Sequence, residues 1–366
     1  MKTLFVLPNM KMGGVGQITN ALMRGFAMQD DDCYLALRHA RGELLEDTRK
    51  VATVYELAPV GLHQFVPALT RLLRRLKPDC IITAFADVGV MTWLAMRLAR
   101  SHARWVHGVH NTHARIIARP GMRGGFRHVC DNRAAAFCYR HADRVVAVSD
   151  GVRSEVIAMV PSAASRTVTI YNPVVPDTEL QLIDKPWPVV ERPIRLVALG
   201  RLVRQKGFDI LIEAMKAVAG DWQLDIWGAG PDGPALQRDI DDARLSDRIH
   251  LRGYTNRPYE VLREADVYVL SSRHEGLPTT LIEAMACQCQ LVATDCPHGP
   301  REILCAGALG KLVPPGESES LALAIRHVLA DSARIPKITL LARARDFSAT
   351  TAVEHWRGVL HTDWMN

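Results

Sequence analysis

The stretch DVYVLSSRHEGLPTTLIEAMA, residues 266–286, predicts a strand that turns through Gly276 and Pro278 into a helix. A short apolar run rich in valine forms the strand, and Thr279 or Thr280 can cap the helix. Strand, turn and helix are the repeating unit of a parallel α/β sheet, so this stretch assigns the fold class.

The same alternation of short apolar runs and helix-period segments extends over the chain on both sides of this stretch. In the first half, strands are predicted near 3–8, 33–37, 51–57, 79–84, 104–109, 144–149 and 167–171, with helices at 15–28, 65–76, 90–100, 126–142 and 151–159. In the second half, strands are predicted near 194–200, 222–227, 248–251, 266–270, 290–294 and 309–313, with helices at 207–219, 233–244, 279–287 and 318–330. We expect two doubly wound parallel sheets.

The alternation stops between the halves, where five of the 20 prolines fall within residues 173–193. Clustered prolines interrupt regular structure, so this segment is predicted to be a linker. It separates an N-terminal Rossmann-like domain at 1–172 from a C-terminal one at 194–345, and residues 346–366 are expected to form a helix that crosses back to the first domain. Because such sheets bind ligands beyond the carboxyl ends of their strands, the sequence predicts a cleft between two facing domains.

The composition of the 366 residues is that of a folded globular protein, with 48% hydrophobic and 23% charged residues. No apolar run reaches the roughly 20 residues that a membrane-spanning helix needs. The N-terminal stretch lacks the features of a signal peptide, so we expect a cytoplasmic protein. The eight cysteines form no CxxC pair, which favours buried free thiols over a metal site or a disulfide framework.

Positive charge is concentrated in the first half of the chain. Residues 1–180 carry 23 Lys and Arg against 15 acids, and ten arginines lie between Arg97 and Arg144. Such a run is either a solvated face or a surface for an anionic partner. Nucleic acid is disfavoured because no nucleic-acid-binding motif accompanies the arginines. The functional interpretation is a phosphorylated acceptor, or peripheral contact with the anionic inner face of the cytoplasmic membrane.

Two glycine-rich turns follow predicted strands. Gly13–Gly16 (GGVG) opens the first helix, where backbone amides can face an anion, although a tight strand-to-helix turn explains it equally well. Gly228–Gly233 (GAGPDG) has the form GxGxxG, but Pro231 and Pro234 remove amide donors from a turn that would hold a pyrophosphate. A nucleotide-contacting or structural turn is therefore favoured over a dinucleotide fingerprint.

A cationic loop, Gly200–Gly207 (GRLVRQKG), lies between a predicted strand and an amphipathic helix that begins at Phe208. It places Arg201, Lys206 and also Arg204 beside a helix N-terminus. Cations and a helix dipole together suit a diphosphate, although solvated loop cations are the alternative.

Two carboxylates, Glu275 and Glu283, flank the N-terminus of the helix predicted at 279–287. Carboxylates accept hydrogen bonds from vicinal hydroxyls, as on a sugar or a ribose, while the amides of a first helical turn bind phosphate. The expected ligand is a hydroxyl-rich phosphate ester.

The segment EGLPTTLIEAMA, with two glutamates separated by seven residues, resembles the signature of family 4 retaining glycosyltransferases of the GT-B fold, of the bacterial lipopolysaccharide and capsule type. The resemblance covers most of the chain through similar segments at 200–207, 228–231, 172–173, 148–152 and 299–303. Thr279 and Thr280 stand where the family commonly has an aliphatic or small residue, which bears on the choice of donor sugar.

This resemblance implies a role for each matching residue. Arg201 and Lys206 would bind the donor diphosphate, Glu283 the ribose hydroxyls and Glu275 the hydroxyls of the transferred sugar. Arg252, with the glycine after it, would lie near the base. The other donor-binding positions that the resemblance implies are Gly14, Gly276, Leu277, Pro278 and Thr279.

His110 ends the strand predicted at 104–109, where the family often has a histidine that touches the donor sugar or the acceptor. Its position at a carboxyl end favours a functional role, whereas His107 faces the opposite side and is ranked lower. The predicted catalytic residues are His110, Glu275, Arg201 and Lys206.

No metal or other cofactor is expected, because Arg201, Lys206 and helix dipoles can neutralise a leaving nucleotide. Asp30–Asp32 contains a DxD motif, which binds a divalent metal in a different class of glycosyltransferase. It lies between a helix and a strand, and is therefore interpreted as a solvated loop.

The resemblance implies a retaining hexosyltransferase. It would move a sugar from a nucleotide-sugar, with a UDP-sugar favoured, to a hydroxyl of a growing glycan such as lipopolysaccharide or capsule, on a glycan or lipid-linked glycan acceptor. Two alternatives stay open. One is an NAD-dependent oxidoreductase that uses the 228–233 turn, and the other is a catalytically silent glycosyltransferase-like partner subunit.

Overall fold

The computed structural model of the chain describes residues 1–11, 14–57, 62–110, 125–181, 192–330 and 334–361. The chain forms two compact units, each built on one parallel sheet. Unit 1 comprises Met1–Pro173 and the segment that begins at Ala349, and unit 2 comprises Val174–Ser348. Two Rossmann-like α/β sheets confirm the predicted fold class.

The sheet of unit 1 has seven parallel strands in the order β3-β2-β1-β4-β5-β6-β7. These strands are Lys2–Leu7 (β1), Asp32–Leu37 (β2), Thr53–Glu56 (β3), Cys80–Thr83 (β4), Arg104–Val109 (β5), Arg144–Ala147 (β6) and Thr167–Thr169 (β7). The strand order reverses between β1 and β4, which marks the carboxyl end of this sheet as the expected ligand edge.

Helices cover both faces of this sheet. They are Gly14–Ala27 (α1), Leu45–Thr48 (α2), Leu62–Leu76 (α3), Ala86–Ala99 (α4), Gly125–His141 (α5) and Asp150–Met159 (α6). Successive residues of β1 enter opposite cores: Phe5 packs with Phe26 of α1, and Leu4 packs with Phe65 of α3. A strand buried on both faces reads as a continuous apolar run, and this is why β1 is visible in the sequence.

The sheet of unit 2 has six parallel strands in the order β10-β9-β8-β11-β12-β13. They are Ile194–Leu199 (β8), Trp222–Trp227 (β9), Ile249–Gly253 (β10), Val267–Leu270 (β11), Gln290–Thr294 (β12) and Lys311–Val313 (β13). Its order reverses between β8 and β11, so the loops after these two strands lie side by side.

The helices of unit 2 are Phe208–Met215 (α7), Gly233–Asp242 (α8), Pro258–Glu264 (α9), Thr279–Ala286 (α10), Pro300–Ile303 (α11), Ser318–Ala330 (α12) and Lys337–Ala344 (α13). Residues of α7, α8 and α12 bury one core with the sheet, including Leu211, Leu236 and Ile325. Across the described part of both units, no helix is both long and apolar enough to span a bilayer.

The helix Ala349–His361 (α14) belongs to unit 1, although it follows the whole of unit 2 in sequence. Val353, Trp356 and Leu360 are buried in the same core as Phe5 and Phe26. Arg104 of β5 donates a hydrogen bond to the Leu360 carbonyl at 2.8 Å.

The segment predicted as a linker is only partly described, since residues 182–191 lie outside the described ranges. Its beginning is not a free connector: the amides of Val174 and Val175 both donate to the Phe347 carbonyl at 3.0 Å, and Val175 is fully buried. Proline clusters remove donors, but the residues between them can still pair, and this extends unit 2 to residue 174.

Candidate active site

The loops after β8 and β11 meet at the carboxyl edge of the unit 2 sheet. The Arg273 amide donates to the Gln205 carbonyl at 2.8 Å, and the Gln205 side chain donates to the His274 carbonyl at 3.0 Å. A third bond, from the Ser271 hydroxyl to the Lys206 carbonyl, is 2.9 Å long. The predicted cationic loop and the predicted acidic stretch therefore form one site.

Gly207 is required where these loops cross. It has a φ of 65°, and a Cβ at this position would lie 2.1 Å from the Ser271 carbonyl oxygen. Only glycine takes this conformation freely and fits this gap. Beside it, Arg273 makes a two-pronged ion pair with Asp209 at 2.7 and 2.8 Å, and the guanidinium lowers the pKa of that carboxyl.

The centre of the site is an ion pair between Lys206 and Glu275. The Lys206 Nζ lies 2.6 Å from Glu275 Oε1, and only 8% of the glutamate side chain is exposed. The Ser272 hydroxyl donates to the same oxygen at 2.6 Å, and the Glu275 amide donates to the Pro297 carbonyl. A buried carboxylate with two short partners is a fixed acceptor of hydrogen bonds.

Helix α10 begins at Thr279, four positions after Glu275. Its N-cap position is Pro278, and no side chain caps the first amides, so the N-terminus is able to receive an anion. The start of the helix is fixed from below, where the buried Tyr268 hydroxyl donates to Thr280 Oγ1 at 2.6 Å. The predicted turn into the helix also contains Gly276 and Leu277 before Pro278, and Thr279 after it.

Glu283 lies one turn further along α10. Within the described residues its carboxylate has no hydrogen-bond or ion-pair partner. Burial raises the pKa of this carboxyl to about 7, because removing a carboxylate from water disfavours its charged form. A partly buried, unpaired carboxyl is ready to accept hydrogen bonds from a ligand.

The two predicted cations outside the pair differ in their surroundings. Arg201 is exposed, and its guanidinium pairs with no acid among the residues described. Arg252, predicted near a base, instead donates from Nε to Asp225 at 2.7 Å. Arg201 is therefore available to an anionic ligand, whereas Arg252 is already held by a carboxylate.

The glycines of the 228–233 turn are explained by the backbone that faces them. A Cβ on Gly228 would lie 1.8 Å from the Gly200 carbonyl oxygen, and one on Gly230 would lie 2.3 Å from that of Leu202. The Leu202 amide in turn donates to the Ala229 carbonyl. These glycines let the cationic loop pack against the turn, which disfavours the dinucleotide interpretation.

Two predicted residues lie in unit 1. Gly14 is the exposed first residue of α1, and a Cβ there would meet nothing within 4 Å, whereas Gly16 faces the Lys11 carbonyl at 2.7 Å. Gly13 of the same turn lies outside the described residues. The packing of the chain therefore requires a glycine at position 16 but not at position 14.

His110 directly follows β5 at the carboxyl edge of its sheet. Burial lowers its pKa to about 4, and the neighbouring Asn172 side chain acts in the opposite direction. Its Nδ1 is buried without a hydrogen-bond partner in the described structure. By contrast, His107 is buried and shares a hydrogen bond of 2.8 Å with Thr83 Oγ1, which is a structural role.

The DxD motif is not fully solvated, which corrects that interpretation. Asp31 is buried, and its Oδ2 lies 3.2 Å from the Arg357 Nε of α14. It is a structural acid that helps hold the last helix. Among the described residues, no group of three or more His, Cys, Asp or Glu side chains could hold a metal.

Sequence reasoning missed two residues of this edge. Ser272 stands in the stretch 266–286, but nothing in the spacing shows that its hydroxyl supports Glu275. Trp227 ends β9 with a buried indole N–H that has no acceptor in the part described. Its position immediately before the glycine turn is the one signal that could have found it.

Two family profiles match adjoining parts of the chain. The family described as "Glycosyltransferase Family 4" matches residues 12–178, and "Glycosyl transferases group 1" matches residues 193–331. The two matches together span most of the chain.

The chain is also similar to individual curated proteins. It is 30% identical over 192 residues to the lipopolysaccharide 1,6-galactosyltransferase of Salmonella typhimurium, covering 51% of this chain and 52% of that protein. It is 27% identical over 250 residues to an uncharacterized glycosyltransferase of Methanocaldococcus jannaschii, covering 65% and 60%. The similarity thus spans only about half to three fifths of these relatives.

Solved structures share the fold over nearly the whole length. The apo form of the lipopolysaccharide outer core galactosyltransferase WaaB matches with a TM-score of 0.82 at 20% identity, covering 98% of this chain and 99% of that one. HepE of Anabaena in complex with UDP matches with a TM-score of 0.80 at 21% identity and the same coverage. Paired parallel sheets, the glutamate signature and both family matches lead to one assignment: the chain belongs to the family 4 glycosyltransferases of the GT-B fold.

Proposed function

We propose that this protein is a retaining hexosyltransferase that moves a sugar from a nucleotide-sugar to a hydroxyl of a growing surface glycan such as lipopolysaccharide or capsule. A UDP-sugar is the favoured donor. The observation that carries the proposal is the Lys206–Glu275 ion pair at 2.6 Å beside the uncapped N-terminus of α10. It combines a cation and amides for phosphate with a fixed carboxylate for sugar hydroxyls.

The proposed chemistry is electrostatic. As the bond between sugar and diphosphate breaks, the leaving group gains negative charge, which Lys206, the exposed Arg201 and the amides of α10 stabilise. Glu275 holds hydroxyls of the transferred sugar, and Glu283 holds those of the ribose. His110 contacts the sugar or the acceptor as a neutral imidazole, since its pKa of about 4 keeps it uncharged near pH 7. The acceptor hydroxyl attacks from the face that the leaving group leaves, and its proton passes to the departing diphosphate.

The proposal includes independence from metal, because the charges of the loop and the helix dipole do the work that a divalent ion does elsewhere. The test is transfer in the presence of EDTA. Full activity after chelation is expected, and activity restored only by added Mg²⁺ or Mn²⁺ would contradict this part alone.

The nature of the substrates rests on the relatives. The similar Salmonella typhimurium protein is named a lipopolysaccharide 1,6-galactosyltransferase, and the similar Anabaena structure holds UDP. These names support a UDP-sugar donor and a glycan or lipid-linked glycan acceptor for this chain. We further propose peripheral contact with the anionic inner membrane face. The part of the predicted arginine run between residues 111 and 124 lies outside the described residues.

The experiment is a donor panel of UDP-, GDP- and ADP-sugars, with release of nucleoside diphosphate measured for the full chain and its variants. Lys206→Ala is expected to lower the turnover rate by roughly a hundredfold to a thousandfold, the usual effect of removing one group that stabilises a developing charge. Lys216→Ala is the matched control, because Lys216 also pairs with a glutamate, Glu213, but at an exposed position of the same unit.

Three outcomes separate the alternatives. Equal loss in both lysine variants, or no loss in either, would contradict the assigned role of Lys206. Release from no donor at all would favour a silent partner subunit. Binding of NAD together with NAD-dependent oxidation of an alcohol substrate would favour the oxidoreductase. The packing of Gly228 and Gly230 already disfavours that alternative.

A further inference from the structure

The segment of unit 1 that contains helices α3 and α4 is strongly basic. Residues 62–104, which include both helices and β4, contain seven Lys and Arg against two acids, a net charge of +5. Helix α3 itself contains no acid. This basic segment precedes most of the arginine run between Arg97 and Arg144.

Six of these cations are exposed and pair with no acid in the described part of the chain. They are Arg71, Arg74, Arg75, Lys77, Arg97 and Arg100. Neither acid of the segment pairs with these six cations: Asp79 accepts from the Lys2 amide at 2.7 Å, and Asp87 lies 3.9 Å from Arg38. Most of the positive charge of this surface is therefore left without an acidic partner in the described residues.

Exposed leucines lie among the cations. Leu94 and Leu98, one turn apart on α4, are 43% and 51% exposed. The Arg74 guanidinium of α3 donates to the Leu98 carbonyl at 2.8 Å, which shows that the two helices present these groups on adjoining faces. Arg97 lies over the Trp93 ring at 5.4 Å, so its side chain is held beside the leucines.

A cavity of about 760 Å³ opens at the end of the same helix pair. Arg74, Lys77, Arg100 and His102 are among the residues that line it, with one acid, Asp79. The cavity is at the amino ends of β4 and β5, the opposite edge from that of His110. It is thus separate from the carboxyl edge where the site residues of this unit lie.

The helix dipoles explain only part of this charge. The C-terminus of a helix carries about half a negative charge, so α3 and α4 together account for about one of the six cations. Nucleic acid would match the remaining charge, but it gains nothing from two exposed leucines. An anionic bilayer satisfies both features, since arginines meet its headgroups while leucines enter the boundary with the acyl chains.

We propose that this α3–α4 surface, formed by the six cations with Leu94 and Leu98, docks the protein on a membrane rich in anionic phospholipid. The cavity beside it receives a phospholipid headgroup. This inference extends the membrane contact included in the proposed function and assigns it to a surface, but it does not depend on sugar transfer.

The experiment is flotation of the full chain with vesicles of phosphatidylcholine alone, or with about a third of phosphatidylglycerol. Binding is expected only to the anionic vesicles and is expected to weaken with salt. Each exposed basic side chain near such a surface contributes about fivefold in affinity, so Arg71→Gln, Arg75→Gln and Arg97→Gln together should weaken binding roughly a hundredfold. Leu94→Ser with Leu98→Ser should weaken binding and leave its salt dependence in place.

The matched control lies on α12 of unit 2. Leu323 is 47% exposed, and the exposed Arg326 follows three positions later, as Arg97 follows Leu94. Leu323→Ser with Arg326→Gln is expected to leave vesicle binding unchanged. Circular dichroism and the thermal midpoint of each variant show that the fold is retained.

Equal binding to neutral vesicles, or an unchanged affinity in the triple variant, would overturn the proposal. So would preferential capture by duplex DNA or RNA in a competition with the anionic vesicles. Release of nucleoside diphosphate is measured on the same variants without vesicles. Lost binding with intact release supports the surface, whereas absent release with intact binding contradicts only the proposed enzyme function.

Discussion

Glu283 is the titratable residue of the candidate site whose charge changes near neutral pH. Its pKa of about 7 means that the ligand-free carboxyl is half protonated there. Ribose hydroxyls donate to the ionised form and favour it, so the affinity for UDP should rise with pH through 7, by up to about tenfold per unit below that value. Glu283→Gln should bind UDP weakly with no such slope. A flat wild-type profile from pH 6 to 8, measured by calorimetry, would contradict the role.

His110 leads to a prediction about the stability of the fold, whereas the prediction for Glu283 concerns ligand affinity. Its folded-state pKa of about 4 is below the ordinary value of 6.5, so the folded state holds the neutral ring. The contribution of His110 to the free energy of unfolding is fully present above pH 6.5. It is lost as the pH falls towards 4, by at most about 1.4 kcal/mol per pH unit. Denaturant unfolding of His110→Gln should show a shallower loss between pH 6.5 and 4.5. If the free energy of unfolding fell equally with pH in variant and wild type, the prediction for His110 would be wrong.

At this scale, the sequence identifies candidate residues for the site but not how they contact one another. Lys206 and Glu275 are both identified from their motifs, yet 69 positions separate them, and their contact depends on β8 lying beside β11. The pairing of Arg252 with Asp225 is missed for the same reason, since it joins neighbouring strands. The burial that raises the pKa of Glu283 also cannot be predicted from the spacing of nearby residues in the sequence.

The glycine turn after β9 gives a test at the scale of elements. Gly228→Ala and Gly230→Ala place a Cβ against the backbone of the Gly200–Gly207 loop, so each should destabilise unit 2 and weaken UDP binding. Gly233→Ala is the control, because its Cβ would meet only a leucine methyl at 3.4 Å within a helix. That change should be neutral or stabilising by up to about 1 kcal/mol. Thermal unfolding and UDP titration of the three variants check both expectations.

Equal damage from all three alanine variants would contradict this packing argument.

Most strands and long helices follow from the periodicity of the sequence because parallel strands buried on both faces are continuous apolar runs. The short helices α2, α9, α11 and α13 are missed. Helix α9 begins at Pro258 and has seven residues with one fully buried leucine, Leu262, so its apolar period is too short to detect. Helix α13 follows a proline in a segment that the sequence leaves unassigned.

At the scale of the whole molecule, α14 is a required part of unit 1. Trp356 is 3% exposed in the core of that unit, whereas the neighbouring His355 is exposed. Trp356→Ala should lower the free energy of unfolding by about 3–5 kcal/mol, as for other large core residues, and His355→Ala should change it by less than about 0.5 kcal/mol. Chemical denaturation followed by circular dichroism compares them. Similar values for both would show that the helix does not complete the core.

The division into two sheets is predictable from the sequence, but the boundary between them is not. The proline-rich segment marks where the alternation stops, while the pairing of Val174 and Val175 with Phe347 decides which unit those residues join. Such a contact between positions more than 170 residues apart has no local signal.

Unit 2 is one continuous stretch, whereas unit 1 needs residues from both sides of it, and this sets an order of events on the ribosome. At about 5–20 residues per second, roughly ten to thirty seconds pass between synthesis of Pro173 and of Ala349. During that interval the core around Phe5 and Phe26 has no α14 to cover it, although unit 2 can already fold. Nascent unit 1 is therefore expected to expose apolar surface to chaperones for that time, and to mature after the unit made later.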